Sequence, residues 1–291
     1  MKTILLPTDF SSNAKHAVEY GYKLAKRIKA NVILCNAVVV PAEMPQAGFI
    51  VWPMEECDVL MDESTEELKK LKAELSQDKD AFKPLINYYN EAGTAADVVN
   101  AVVAKKKIDL VVMGTHGSDG LSSFLLGNHT RMLIDSISKP LLLVPAQAPD
   151  TPVKKIAFAT DFKHPEKDLE SVYDLVPLAR SLNAEILLTH IGDERNPSPE
   201  FNKWIEQFIN EVSNKADYPY IYYRFVKNDR PEKGLDWLCE HGKVDMLAMV
   251  HRPHNFFDDL LKGSYTQKMA ARVPIPLLVF PAKENNYSFK N

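Results

Sequence analysis

Short runs of consecutive apolar residues punctuate this chain, and the segments between them repeat apolar positions at three- and four-residue spacing. The runs fall at 2–6, 31–38, 84–90, 108–113 and 140–145, then again near 154–159, 184–191, 219–226, 244–249 and 275–280. Continuous apolar runs of this length predict strands covered on both faces. In the first half the segments at about 12–29, 55–78, 94–106 and 127–137 carry helical periodicity. Ser11 or Ser12 can cap the first of these helices and Thr94 the third. Strand alternating with helix predicts a parallel sheet with right-handed crossovers and helices on both faces.

The pattern occurs twice. Thr8-Asp9-Phe10 after KTILLP returns as Thr160-Asp161-Phe162 after KKIAFA, and NVILCNA at 31–37 returns as AEILLTHI at 184–191. KIDLVVM at 107–113 returns as KVDMLAM at 243–249, and KPLLLVPA at 139–146 as IPLLVFPA at 275–282. Four landmarks in one order mark an internal repeat. The second copy is shorter between its second and fourth runs, and the surplus of the first falls around Val40 to Pro53. The turn-prone Pro149-Asp150-Thr151-Pro152 separates the copies. The expected domains are therefore 1–148 and 152–282, with a polar tail at 283–291.

A length of 291 residues suits two domains, each large enough for its own core. A net charge of -4 gives no reason to expect nucleic acid or an anionic membrane as partner. The three cysteines, Cys35, Cys57 and Cys239, are too few and scattered for a disulfide framework or a four-thiolate metal site, which fits a reducing compartment. The start, MKTILLPTDF, is not expected to be a signal peptide, and no apolar run approaches the roughly 20 residues of a membrane span. The expected location is the cytoplasm.

In open α/β sheets ligands bind beyond the carboxyl ends of the strands where strand order reverses, so the loops after strands one and four are the places to look. The fourth run leads into Met113-Gly114-Thr115-His116-Gly117, and Gly127-Asn128-His129-Thr130 opens the next helix: Gly-x-x-Gly, nine residues, Gly. Glycines let a backbone approach phosphate oxygens, and free amides at a helix start supply donors. Such glycines also commonly just make turns. The loop after the fourth strand, set opposite Pro7-Thr8-Asp9, resembles the universal stress protein family, whose motif is Gly-x-x-Gly-nine-Gly-Ser/Thr after a strand ending in Met. The resemblance spans nearly the whole chain as two copies.

That resemblance implies two tandem doubly wound α/β domains of the adenine nucleotide alpha hydrolase-like kind, each a five-stranded parallel sheet of order 3-2-1-4-5. It implies an adenine nucleotide, ATP or alternatively AMP or ADP, with Mg as an accompanying ion. Pro7, Thr8 and Asp9 match the first loop, and Ala37 stands for an adenine-contacting Val after strand two. Met113, Gly114 and Gly117 match the adenosine and phosphate loop, and Gly127, Asn128, His129 and Thr130 the segment that closes over the phosphates. One departure is Asn128, where the family has Ser or Thr; Asn keeps an amide but loses a small hydroxyl. Asp9 reads equally as a turn residue or helix-entry cap. Family homodimers join through the fifth strands, so the two copies are expected to pair as a pseudo-dimer within one chain, with further homodimerisation open.

The second copy reads Met249-Val250-His251-Arg252-Pro253, with Val250 and Pro253 in place of the two glycines and Ala159 in place of Pro7. Proline removes a donor and Val resists the angles open to Gly, so this copy is not expected to bind ATP in the family manner, although Gly263-Ser264 and Thr266 persist. His251 and His254, with Cys239 and His241 near in sequence, form no closed metal-ligand spacing and read as ordinary loop residues. Phe201, Trp204, Phe208 and Val212 recur at helical spacing and read as core. The stretch 40–53, with Phe49 and Trp52, reads as a lid or partner patch or as packing over its own sheet edge.

Three functions compete: a nucleotide-binding signalling module with an unnamed protein partner, an interaction protein without nucleotide, and a slow ATPase or nucleotidyl transferase. The enzyme is disfavoured because the sequence has no Walker-type Gly-Lys-Ser/Thr and no Ser-His-Asp order in the right context. His116 and His129 could act as acid or base, or serve as phosphate donors or loop fillers.

Overall fold

The computed structural model describes residues 1–39, 54–77, 81–115, 128–163, 165–193, 198–252 and 275–282. The chain divides into two compact units, the first ending at Ala146 and the second resuming at Gln147. The first contains β1 (Thr3–Pro7), α1 (Ser12–Ile28), β2 (Asn31–Val38), α2 (Met54–Leu75), β3 (Ile86–Ala92), α3 (Ala95–Lys105), β4 (Leu110–Gly114), α4 (Asn128–Ser136) and β5 (Leu141–Val144). The second contains β6 (Lys155–Ala159), α5 (Pro165–Leu182), β7 (Glu185–Gly192), α6 (Pro199–Ala216), β8 (Ile221–Lys227), α7 (Pro231–His241), β9 (Met246–His251) and β10 (Leu277–Pro281).

The strands of the first unit lie in the order β3-β2-β1-β4-β5, and those of the second in the order β8-β7-β6-β9-β10. Every pairing within each unit is parallel. Numbered from the start of its own unit, each sheet reads 3-2-1-4-5. Ile4, Leu5 and Leu6 of β1 and Leu110, Val111 and Val112 of β4 are buried, which is why these strands read as unbroken apolar runs. Burying each such side chain contributes about 1.5–3 kcal/mol.

The same local devices build both units. Asp109 Oδ2 accepts the amides of Lys2 (2.6 Å) and Thr3 (3.0 Å), and Asp245 Oδ2 accepts those of Lys154 (2.8 Å) and Lys155 (2.9 Å). One carboxylate ahead of the fourth strand therefore ties down the start of the first in each copy. Ser11 caps α1, accepting from the amide of Ala14, and Thr94 caps α3, accepting from that of Asp97. α1 packs closely because residue 21 is glycine: a Cβ there would lie 2.4 Å from Leu6 Cδ2.

Several strand limits shift by one or two residues from the apolar runs, and at β3 and β9 the reason is local. β3 begins at Ile86 rather than 84, because Pro84 has no amide and that of Leu85 is taken by the Asn31 side chain at 3.2 Å. β9 runs past Met249 through Val250 and His251, pairing them with Phe280 and Pro281. Val250 and His251 are thus strand residues, not loop; β-branched Val prolongs the ladder where Gly114 ends β4. On α6, Phe208 and Val212 are core while Phe201 and Trp204 are half-buried, and Phe162 meets Phe201, Trp204 and Phe208 at centroid distances of 5.9, 5.3 and 5.9 Å. The stretch 40–53, the tail 283–291, Pro253, His254, Gly263, Ser264 and Thr266 lie outside the described residues. No helix among the described residues is long and apolar enough to cross a membrane.

Candidate functional site

In the first unit the strand order turns back on either side of β1, and a crevice of about 330 Å³ opens at the carboxyl ends of β1, β2 and β4. Its walls include Pro7, Thr8, Asp9, Ala37, Met113, Gly114 and Thr130, residues singled out from the sequence. Asn128 and His129 are the first two residues of α4, immediately before Thr130. Gly117, Gly127 and His116 lie outside the described residues.

The loop after β1 is held by its own side chains. Thr8 Oγ1 accepts the amide of Phe10 at 3.0 Å, and Asp9 Oδ1 accepts the amide and hydroxyl of Ser11 at 3.0 and 2.6 Å. Phe10 sits between them at φ 63, so the chain reverses into α1. Asp9 therefore fixes the turn with one oxygen while its exposed carboxylate also lines the crevice. The turn and site readings of this residue are compatible.

Beneath the loop lies Asn36, a polar residue inside the apolar run of β2 and only 7% exposed. Its Nδ2 donates to the carbonyl of Thr8 at 2.7 Å, and its Oδ1 accepts from Ser64 Oγ of α2 at 2.8 Å. Thr8 returns its amide to the carbonyl of Cys35 at 2.8 Å. The first loop, β2 and α2 are thereby locked to one another. Asn36 also lines the crevice, as do Ser11, Asn13 and Ala14 from the first turn of α1, Ala95 and Val99 from α3, and Thr115. Sequence reasoning missed these. The interrupted apolar run at Asn36 and the Ser-Ser-Asn stretch after the first loop were the available signals.

Gly114 has a structural reason of its own. A Cβ there would lie 3.0 Å from the carbonyl oxygen of Asn13, so the absent side chain lets the end of β4 approach the backbone of α1. The lining combines apolar Ala37, Val39, Val99 and Met113 with polar Thr8, Asp9, Ser11, Asn13 and Thr130; Thr8 and Thr130 are buried, whereas Val39 is exposed. Among the described lining residues there is no lysine or arginine. Burial, assisted by the Glu91 carboxylate, pushes the Cys35 thiol up to about 12, so it stays protonated at neutral pH.

The second unit repeats the loop geometry with other chemistry. Thr160 Oγ1 accepts the amide of Phe162 at 2.9 Å, Asp161 Oδ1 accepts that of Lys163 at 3.0 Å, and Phe162 has φ 52. His190 replaces Asn36: its Nδ1 stands 3.1 Å from the carbonyl of Thr160, which requires that nitrogen to carry the hydrogen. The crevice persists at about 300 Å³, but its lining now includes Ile191, Val250, Lys163, Asp168 and Arg252.

A family model, the universal stress protein family, matches residues 1–145. Universal stress protein MJ0531 of Methanocaldococcus jannaschii is 32% identical over 147 residues, covering 49% of this chain and 81% of that protein. Universal stress protein MJ0577 of the same organism is 26% identical over 153 residues, covering 49% and 94%. Among solved structures, a universal stress protein from Archaeoglobus fulgidus matches with a TM-score of 0.69 and 17% identity, covering 97% of this chain and 98% of that one. At that identity the likeness is one of fold.

Proposed function

This chain belongs to the universal stress protein family, and on that premise we propose that its first unit is an adenine nucleotide-binding signalling module whose second unit is a structural partner without a nucleotide of its own. One observation supports this above the others. Residues from four separate segments, around Pro7-Thr8-Asp9, Ala37, Met113-Gly114 and Thr130, line one crevice at the switch point of a parallel sheet.

The adenine ring is assigned to the apolar part of the lining, Ala37, Val39, Val99 and Met113, and the ribose to the polar part near Thr8 and Asp9. The phosphates would run past Gly114 toward Gly117, Gly127, Asn128, His129 and Thr130. The described lining offers no cationic side chain, so the phosphate charge falls to backbone amides and to a Mg ion carried by the nucleotide. A bound nucleotide supplies an ordered polyanionic surface that a protein partner can read. We read the unit as a binder and not a catalyst, because the thiol among the described lining residues, Cys35, is held protonated and Asp9 is engaged in the turn. The fifth strands, apolar and last in each sheet, are the surfaces proposed for self-association.

Calorimetric titration of the full chain with ATP, ADP and AMP tests the reading. Ala37→Phe adds bulk to the apolar lining of the crevice at a half-buried position and is expected to weaken binding by roughly tenfold or more. Absence of heat with the wild-type chain refutes nucleotide binding and favours an interaction protein. Phosphate release faster than in enzyme-free controls, lost in the same variant, revives the ATPase.

A further inference from the structure

The second crevice departs most from the first where β9 leaves the sheet. Arg252 follows the strand with its side chain 13% exposed, and its Nη2 donates to Asp168 Oδ1 at 2.6 Å. The Asp168 side chain is 2% exposed, and its second oxygen accepts the hydroxyl of Thr160. Leu178 and Ala179 of α5 correspond to the equally buried Leu24 and Ala25 of α1. Counting back along that register puts Asp168 where the first unit has Ala14, and each lines its own crevice. A methyl group in one copy is a fixed anion in the other.

A guanidinium presents donors in a planar fork that matches carboxylate and phosphate alike, and burying it without an anion is costly. Arg252 Nε has no partner among the described residues, so the contact with Asp168 uses only part of its donor set. Lys163 lines the same crevice, with its ammonium 3.4 Å from Asp161 and 77% exposed. The cationic end of this crevice is thus already neutralised from within.

We propose that Arg252 is the centre of an oxyanion site at the end of β9, and that Asp168 occupies this site as a ligand supplied by the chain itself. Loss of the glycines leaves a crevice of about 300 Å³ in place. What turns a phosphate away is the resident carboxylate, which a second anion would have to displace or sit against. Removing the carboxylate alone should therefore uncover an anion site, and removing Arg252 as well should abolish it.

The test compares thermal unfolding of the full-length wild type, Asp168→Ser and the double variant Asp168→Leu/Arg252→Met, in inorganic phosphate and in chloride of equal ionic strength. The single variant should be the least stable in chloride, and at about 50 mM phosphate should gain roughly 3–6 °C more than the wild type, with no such gain in the double variant. Equal phosphate responses in all three overturn the proposal. If Asp168→Ser does not fold in chloride, Asp168→Asn keeps the shape and removes the charge. It should bind phosphate at least tenfold more tightly than wild type by calorimetry, and no gain overturns the proposal. Phosphate binding to the first crevice is common to every variant and cancels, so failure here is distinct from failure of the nucleotide reading.

Discussion

Replacing Asn36 by alanine should damage both the stability of the first unit and its crevice. Asn36 is 7% exposed and makes two hydrogen bonds, 2.7 Å to the carbonyl of Thr8 and 2.8 Å from Ser64 Oγ. A buried neutral hydrogen bond contributes about 0.5–1.5 kcal/mol, and a buried group left unsatisfied costs about 1–3 kcal/mol. The Ser64 hydroxyl still receives Asn90 Nδ2 at 3.3 Å, and the Thr8 carbonyl borders a crevice that water can enter, so the larger limit does not apply twice. The expected loss is about 2–4 kcal/mol for Asn36→Ala. Asn36→Asp, nearly isosteric, turns the donor facing the Thr8 carbonyl into an acceptor. Its folded pKa rises above that of the unfolded chain, so it should be at least as unstable as the alanine variant at pH 7 and recover as pH falls. Urea unfolding followed by far-UV circular dichroism, fitted with a separate transition for each unit, gives the differences. The nucleotide titration of both variants reads whether the loop has moved. A loss below about 0.5 kcal/mol for Asn36→Ala, or an aspartate variant as stable as wild type at pH 7, would refute the bridging role.

Alkaline pH should destabilise the chain through two thiols, buried Cys35 and half-buried Cys239. Burial pushes Cys35 and Cys239 up to about 12, helped by Glu91 in one case and by Asp236 and Glu240 in the other. A raised folded pKa contributes stability that is whole below the unfolded pKa and fades as pH climbs toward the folded one. Urea midpoints should hold below pH about 9 and fall above it, each thiol costing about 2 kcal/mol by pH 10.5, with Cys35→Ala relieving its share; an unchanged midpoint would count against the burial. Gly21→Ala sets a methyl 2.4 Å from Leu6 Cδ2 in the core. Overpacking of about 1–3 kcal/mol outweighs the helix-propensity gain of up to about 1 kcal/mol, so the first unit should lose stability in the same urea assay, and a gain would show that the α1–β1 contact is looser than described.

Much of the architecture was legible in one dimension. Each strand buried on both faces needs its own apolar run, helices between strands need amphipathic spacing, and a duplicated order of such runs specifies two copies of one unit. The turn after β1 was readable for the same reason: Thr8, Asp9 and Phe10 settle it among neighbours, with hydrogen bonds spanning only two residues. Strand limits were less so, because Leu85 yields its amide to Asn31, 54 positions away.

What the tertiary structure alone decided is which distant polar groups satisfy one another. Asn36 meets Thr8 and Ser64 across 28 positions in either direction, and Arg252 meets Asp168 across 84. Apolar burial is non-directional and announces itself as pattern, whereas a buried hydrogen bond or ion pair depends on a geometry that exists only once the sheet has formed. For that reason the two copies look alike as patterns of hydrophobicity, while the chemistry that separates their crevices lies in single side chains brought together by the fold.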